Sequence, residues 1–286
     1  MSDLAALIVL ALIAAGIIAL GWWLLIETEG VYLGRRVVVW LYDLYAGRYD
    51  DIKHFRKEYD HMFLAQPIME RLAPLKQPLV LDAATGTGRL PLALLKHAHF
   101  QGRVVALDLS RRMLRQAAAK LDDPRVTLLS CPAERVPFAD DTFDFVTCLE
   151  ALEFMEQPDA VLRELIRVTR PGGLLLVTNR VRTRTMPGKI WTDDEIAATL
   201  QSMRVGQVEI QDWQVDYDRV WAYKKGDSLP TLARPLAEVL RCPVCDKALM
   251  MESGDGWRCP NCGAFAPVAS DGVIELAHLV KRGAGE

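Results

Sequence analysis

The chain has 286 residues and a formal net charge of only −3 at neutral pH. Its length exceeds that of a typical single domain and allows one large domain with smaller appendages. The near balance of charge excludes a global electrostatic attraction to nucleic acid, so only local basic patches bear on that class of ligand.

The N-terminal stretch 4–26 holds 23 residues without a charge and is rich in Leu, Ile and Ala. As a helix it spans about 34 Å at about 1.5 Å per residue, which is enough for a hydrocarbon core of about 30 Å. Trp22 and Trp23 stand at its far end, where indoles favour the headgroup zone, and Arg35 and Arg36 follow it. We therefore predict a single-pass membrane anchor over residues 1–27, with the other domains in the cytoplasm.

Two other interpretations of this stretch compete with the anchor. A cleaved signal peptide is disfavoured because the stretch lacks a basic start and an A-x-A exit site. A buried core helix is disfavoured by so long an uncharged run at the N-terminus.

Residues 28–75 are predicted to form a helical cap before the core. Val38, Leu41 and Tyr45 recur at helical spacing, and the run 42–50 repeats a Tyr-Asp pair at both of its ends. An ordinary packing helix with core tyrosines and solvated aspartates is one interpretation. An amphipathic helix on the membrane surface is another, because six basic residues lie near the apolar positions. These are Arg35, Arg36, Arg48, Lys53, Arg56 and Lys57.

The run Val80-Leu-Asp-Ala-Ala-Thr-Gly-Thr-Gly88, followed by Val104-Val-Ala-Leu-Asp108, predicts a strand, a glycine turn, a helix, a strand and an acid. Such a βαβ unit holds a nucleoside at the carboxyl edge of its strands. The glycines allow close approach of the backbone to a ligand, and Asp108 is placed to accept hydrogen bonds from both ribose hydroxyls. The spacing differs from G-x-G-x-x-G, so we predict a nucleoside-cofactor site that is not a dinucleotide site.

These two runs resemble motifs I and II of the class I S-adenosylmethionine-dependent methyltransferases. Residues 132–138, 142–147 and 167–173 resemble later motifs of that family in the same order, so the similarity spans residues 79–180. The Tyr-Asp repeat of the cap resembles the Y-D-x-x-A-x-x-Y-D segment of ubiquinone- and menaquinone-type C-methyltransferases, which helps to close the cofactor pocket.

The resemblance implies S-adenosylmethionine as the cofactor, with the glycine turn facing its methionine part, Asp108 holding the ribose, and backbone near Ala133 meeting the adenine. The implied cofactor-binding residues are Asp82, Ala84, Thr85, Gly86, Gly88, Asp108, Leu109, Ala133 and Cys148. Ala84 replaces a frequent glycine, and Pro132 replaces an acid that often contacts the adenine amino group, so adenine recognition is expected to depend more on backbone. An α/β domain that has lost its cofactor is the alternative.

Residues 125–130, 143–148 and 174–179 are predicted strands that alternate with helices, which indicates a parallel sheet covered on both faces. Thr192 and Glu195 predict a capping box, and 208–213 with 219–224 predict a hairpin. The alternation predicts an α/β fold over residues 76–226, and the resemblance implies that it is the Rossmann-like class I methyltransferase fold. The resemblance implies seven strands in a mostly parallel sheet.

The C-terminal region carries two C-x-x-C pairs, which are Cys242 with Cys245 and Cys259 with Cys262. Four thiolates at this spacing bind zinc tetrahedrally, and a domain of about 45 residues in a reducing cytoplasm requires a metal or a comparable staple. We predict a linker at 227–235, a structural zinc ribbon at 236–280 and a tail at 281–286. Cys131 and Cys148 are predicted to be packing thiols, although Cys148 ends a strand at the cofactor edge.

The ribbon resembles, in residues 236–245, 256–263 and 268–274, the small zinc-ribbon activator subunit of tRNA, rRNA and release-factor methyltransferases. The resemblance implies that it packs on its own methyltransferase domain or on a protein partner. A ribbon that reads nucleic acid is the rival interpretation. Five Lys or Arg against seven Asp or Glu over 236–286 argue against that, so nucleic acid is an improbable partner.

No catalytic residue follows from the sequence. Glu150, Tyr49 and His54 are candidates for a base, and a basic cluster of Arg180, Arg182, Arg184 and Lys189 follows the predicted strand at 174–179. The anchor favours a methyltransferase for a small or lipid-like acceptor, such as a prenylated quinone. RNA or protein methylation and a non-catalytic cofactor-binding scaffold are the alternatives.

Overall fold

A series of helices precedes the core in the computed structural model, which describes residues 3–181 and 190–283. Helix α1, Asp3–Trp22, continues as a π-helical turn, Trp23–Glu27, and the 3-10 turn Val31–Leu33 leads into α2, Arg35–Tyr45. The remaining helical segments before the core are the 3-10 turn Ala46–Arg48, α3 Tyr49–Ile52, α4 Lys57–Asp60, the π-helical turn His61–Ala65 and α5 Gln66–Leu72.

The N-terminal helix projects from the rest of the chain. Over Asp3–Glu27 its most apolar window has a mean hydropathy of 2.8 and no buried residue, and among the described residues it alone is long and apolar enough to cross a membrane. Membrane anchors and signal sequences share these properties.

The core is a mostly parallel sheet flanked by helices, as predicted. Its strands, with those of the ribbon, are β1 Leu79–Ala83, β2 Arg103–Asp108, β3 Val126–Ser130, β4 Phe143–Cys148, β5 Thr169–Arg180, β6 Val205–Asp212, β7 Tyr217–Lys224, β8 Met251–Ser253, β9 Gly256–Arg258, β10 Phe265–Pro267 and β11 Ile274–Glu275. The other helices are α6 Arg89–Lys96, α7 Arg111–Lys120, α8 Pro158–Val168, α9 Asp193–Ser202 and α10 Ala277–Gly283. The sheet order is β11-β3-β2-β1-β4-β5-β7-β6, with β6 and β7 antiparallel as the predicted hairpin.

The expectation of seven strands is wrong, because the sheet formed by the described residues has eight. The extra strand comes from the C-terminal region, where Ile274 and Glu275 pair in parallel with Leu129 and Ser130 of β3. Without β11, β3 would be an edge strand with unpaired N–H and C=O groups. The ribbon therefore completes the sheet at the edge formed by β3.

The two faces of the sheet carry separate apolar cores. All five residues of β1 are buried, as expected for a central parallel strand, and they alternate between the two cores. The core on one face includes ribbon residues together with strands and α8. Those ribbon residues include Leu240, Met250, Trp257, Ile274 and Leu276.

The region predicted as a linker is attached to the sheet. The backbone N–H groups of Thr231 and Leu232 donate to the Asp144 carboxylate at 2.9 and 3.1 Å, and Asp144 is fully buried. The ribbon thus packs on the chain's own core at both of its ends.

Candidate cofactor site and zinc cluster

A cavity of about 1030 Å³, including the space at its mouth, lies at the carboxyl ends of β1, β2 and β4. Ligands in open α/β sheets bind at this kind of edge, where the strand order reverses. Seven of the nine predicted cofactor-binding residues line it: Asp82, Ala84, Thr85, Gly86, Asp108, Leu109 and Ala133.

The two remaining predicted residues lie elsewhere. Gly88 has φ +80°, and a Cβ there would lie 2.6 Å from Cδ1 of Leu121, so this glycine allows α6 to begin close against the end of α7. Cys148 is fully buried within the sheet and does not line the cavity. Gly86, in contrast, has φ +56° and open space where a Cβ would be, which leaves its backbone accessible to a ligand.

Two carboxylates stabilise the turn after β1: Asp82, which is buried, and Asp108, which is half-buried. Asp108 accepts hydrogen bonds from the N–H groups of Gly86 at 2.8 Å and Ser110 at 2.7 Å. Burial raises the pKa of Asp108 to about 6, although these backbone donors lower it. Asp82 accepts hydrogen bonds from the hydroxyls of Thr85 and Thr147, and burial likewise raises its pKa to about 6.

The Tyr-Asp repeat of the cap covers this cavity. Tyr42 and Tyr49 line it. Asp43 accepts a hydrogen bond at 2.6 Å from the hydroxyl of Ser110, which is two residues after Asp108 in the chain. The repeat therefore contacts the loop after β2 directly, as a segment that closes a pocket would.

The second aspartate of the repeat contacts the glycine turn. Asp50 accepts a hydrogen bond from the Thr87 hydroxyl at 2.5 Å and pairs with the Lys120 ammonium at 2.6 Å. Neither aspartate of the repeat is therefore simply solvated, which argues against the interpretation as an ordinary packing helix.

Among the charged residues of the cavity wall, Arg89 was not identified by the sequence predictions. Arg89 lines the cavity and pairs with Asp60 at 2.7 Å and with Glu150 at 2.8 Å, and its guanidinium lies 4.1 Å from the ring centroid of Phe55. A cation in the first turn of a helix opposes the helix dipole, so an arginine directly after Gly88 is a sequence signal for nearby acids.

The three candidate bases differ in position. Glu150 lines the cavity but is engaged by Arg89, and Gln214 also donates to it at 3.1 Å. Tyr49 lines the cavity, and burial raises its pKa well above the ordinary value. His54 is not among the lining residues.

The predicted basic cluster is only partly within the described residues. Arg180 lies 3.6 Å from the buried Glu153 carboxylate. Arg182, Arg184 and Lys189 lie outside the described residues.

The four ribbon cysteines converge on one point. Their sulfur atoms all lie within 4.8 Å of one another, with Cys242 to Cys262 and Cys245 to Cys259 each at 3.6 Å. Tetrahedral zinc with Zn–S bonds of about 2.3 Å requires S···S separations of about 3.8 Å, whereas a disulfide requires about 2.05 Å. The donor set and the spacing therefore fit a four-thiolate zinc site with no open coordination position.

Residues 81–177 match the protein family described as Methyltransferase domain. The Ubiquinone/menaquinone biosynthesis C-methyltransferase UbiE of Burkholderia orbicola is 38% identical over 128 residues, which is 44% of this chain and 50% of that protein. The protein of the same name from Roseobacter denitrificans is 34% identical over 154 residues, or 52% of this chain and 60% of that protein. The chain thus spans about half the length of these curated relatives.

Solved structures share the fold. A SAM dependent methyltransferase from Aquifex aeolicus has a TM-score of 0.50 at 22% identity, covering 59% of this chain and 94% of that one. A chain from the complex between the Haloferax volcanii Trm112 methyltransferase activator and a methyltransferase has a TM-score of 0.53 at 21% identity, covering 65% and 98%.

Proposed function

We propose that this chain, whose residues 81–177 form a methyltransferase domain of the class I fold, is a membrane-anchored S-adenosylmethionine-dependent methyltransferase for a small or lipid-like acceptor. The observation that carries the proposal is the cavity at the carboxyl edge of the sheet. Its wall combines the accessible backbone of Gly86 with the Asp108 carboxylate, whose oxygens retain lone pairs beyond the two backbone hydrogen bonds.

The cofactor is assigned to the lining residues as follows. Asp108 accepts hydrogen bonds from the ribose hydroxyls, and the backbone of Gly86 contacts the methionine part. Leu109 and Ala133 flank the adenine. Asp82 acts indirectly, because its hydrogen bonds to Thr85 and Thr147 fix the turn from beneath.

When bound, S-adenosylmethionine supplies a methyl carbon that is already activated by the sulfonium. The work of the protein is then to align the acceptor with that carbon and to exclude water. Tyr42, Tyr49 and Phe55 provide an aromatic wall with electron-rich faces that favour a cation. The ion pair of Arg89 with Glu150 fixes the side chains at the end of this wall.

We further propose that the four ribbon cysteines hold a structural zinc ion and that residues 1–27 anchor the chain in the membrane with the remaining domains in the cytoplasm. The proposed domain limits are those predicted from the sequence. The apolar helix beside a cavity-bearing domain favours an acceptor that resides in the membrane, as with a prenylated quinone.

Calorimetry on the full chain in lipid nanodiscs tests the cofactor assignment. We expect one site for S-adenosylmethionine or S-adenosylhomocysteine, loss of binding in Asp108→Ala, and unchanged binding in Asp122→Ala, an exposed aspartate that follows the end of α7 and does not line the cavity. Absence of binding by well-folded wild-type protein would reject the proposal.

The acceptor class is tested with cofactor carrying a radioactive methyl group and a membrane extract. The products are separated into lipid, RNA and protein fractions. Label in the lipid fraction supports the proposed acceptor class. Label confined to RNA or protein would contradict it, and cofactor binding with no transfer to any fraction would favour a scaffold.

A further inference from the structure

Helix α2 separates the cavity from the outside of the molecule. Val38, Val39 and Tyr42 on its inner side line the cavity. Its outer side continues an apolar row that starts just before the helix and comprises Leu33, Trp40 and Leu44, which are 45%, 58% and 56% exposed. We call these three residues the outer stripe. About half of the surface of each side chain is left exposed by the described residues 3–181 and 190–283.

The outer stripe is fixed relative to the end of the N-terminal helix. Trp23 stacks on Tyr32 with ring centroids 5.2 Å apart. Gly30 has φ +76°, and a Cβ there would lie 2.9 Å from Leu41 and 3.0 Å from Val37, so the connecting turn lies tightly against α2. With Trp23 in the headgroup zone, where indoles are favoured, Tyr32 and the start of α2 lie at the same depth.

Charge and side-chain type along the outer face also fit a bilayer surface. Arg36 and Arg48 are exposed near the two ends of the stripe. Asp43, the acid within α2, is turned inward to the Ser110 hydroxyl. A tryptophan at the centre of an apolar stripe, with arginines beside it, is typical of helices that lie in the interface of an anionic membrane.

We propose that the outer stripe docks α2 into the headgroup layer of an anionic bilayer, so that the cavity behind α2 opens at the membrane surface. The inference rests on the proposed membrane anchoring and adds the class of acceptor. That acceptor is an amphiphile whose head enters the cavity beside α2 while its tail remains in the bilayer.

Lipid photolabelling of the full chain tests this surface. The protein is reconstituted in vesicles of phosphatidylcholine and phosphatidylglycerol that contain a phospholipid with a diazirine in its acyl chain near the headgroup. After irradiation, adducts are mapped by proteolysis and mass spectrometry. We expect adducts in residues 3–27, which serve as the internal control, and in residues 33–44. Val215 and Leu229, at 78% and 90% exposure, are apolar controls that should remain unlabelled.

The second arm of the test introduces negative charges into the outer stripe. In the double variant Trp40→Glu with Leu44→Glu, adducts in residues 33–44 should fall about tenfold while adducts in the anchor are unchanged. Leu229→Glu is the matched control, and circular dichroism verifies that each variant is folded. Because both substituted residues are exposed, the substitutions remove little core packing.

Three results would overturn the inference. They are adducts in the anchor without adducts in α2, adducts confined to Tyr59–Phe63, and adducts at Val215 as frequent as those in residues 33–44. The measurement needs neither cofactor nor turnover. Labelled α2 in a chain that transfers no methyl group would therefore reject the proposed function and leave the docking surface standing.

Discussion

At the residue scale, Asp108 shows how a fold sets the protonation of a binding group. The carboxylate accepts two backbone hydrogen bonds that favour its ionised form, yet burial dominates and raises its pKa to about 6. A ribose whose hydroxyls donate hydrogen bonds is bound best by the ionised carboxylate. If Asp108 holds the ribose as proposed, cofactor binding and deprotonation of Asp108 are linked.

This linkage predicts the pH dependence of cofactor affinity. The empty site binds a proton more tightly than an ordinary aspartate, so the affinity should be constant above pH 7 and fall as pH drops through about 6. For one proton, the dissociation constant should rise about tenfold per pH unit below the pKa. Calorimetry from pH 5 to pH 8 measures this change. Asp108→Asn should bind weakly with a flat profile, and a flat profile in the wild type would contradict the linkage.

The residue scale also shows what spacing alone reveals. The acid at the end of the second strand and the four cysteines were predictable, because local sequence fixes where a strand or a knuckle places them. The role of Gly88 was not predictable from the sequence. A side chain at this position would contact Leu121, and that contact follows only from the packing of α6 on α7. The ion pairs of Arg89 were also not predictable, because its partners, Asp60 and Glu150, belong to other parts of the chain.

At the element scale, the Tyr-Asp repeat links the cap to both halves of the cofactor site. Its first aspartate meets the loop after β2, and its second meets the glycine turn and α7. A cofactor bound at the proposed site, which Tyr42 and Tyr49 line, would be released more easily when these contacts open. The repeat should therefore affect the rate of cofactor release more than the rate of its entry.

Asp50→Ala tests this role. The variant loses the hydrogen bond from Thr87 and the pair with Lys120, so we expect the cofactor to dissociate about tenfold faster with little change in global stability. Stopped-flow fluorescence with S-adenosylhomocysteine measures the rate. The neighbouring Asp51, which is exposed, supplies the control Asp51→Ala. Equal rates in the two variants would show that the repeat does not hold the cofactor.

Helices and strands were predicted correctly where a continuous run of residues carries the hydrophobic pattern or the capping signal by itself. Strand β4 and the α9 capping box of Thr192 and Glu195 follow the sequence directly. Strand β11 was not predictable from the sequence. Its two residues are too few to show a periodic pattern, and the strand with which they pair, β3, lies far away in the chain. The division of the cap into several short helices was also hidden, since its turns at 46–48 and 61–65 depend on packing against the core.

At the scale of the whole molecule, the ribbon and the sheet share one apolar core and one hydrogen-bonded sheet. Local unfolding of the ribbon would expose Leu240, Met250 and Leu276 and would free the edge of β3. The two parts should therefore unfold together, as a single cooperative unit.

Zinc removal tests this cooperativity. A structural four-thiolate site contributes its binding free energy to folding, so chelation or Cys262→Ser should lower the melting temperature of the entire core by about 10 °C. Scanning calorimetry of the core transition, together with a metal assay that finds one zinc per chain, provides the measurement. Added zinc should restore the chelated wild type. A sheet that melts at an unchanged temperature without zinc would show that the ribbon is energetically independent.

The connection between ribbon and cofactor edge has one main ionic element. Arg111, the first residue of α7 and next to Ser110, pairs with Asp271 at 2.6 Å and with Glu275 at 2.5 Å. The hydrogen bonds from Arg111 lower the pKa of Asp271. All three side chains are between 23% and 30% exposed, so solvent screening leaves a modest contribution.

Arg111→Ala should lower the free energy of unfolding by about 1 kcal/mol, because it leaves two acids without their shared partner. Arg112→Ala, at an exposed neighbouring arginine, should change it by less than about 0.5 kcal/mol. The decisive measurement is a double-mutant cycle in urea with Cys262→Ser. If the arginine stabilises the fold through a folded ribbon, its substitution has no effect once the zinc site is lost, and the two changes are strongly non-additive. Additive changes would mean that Arg111 stabilises α7 by itself and that the ribbon does not support the cofactor edge.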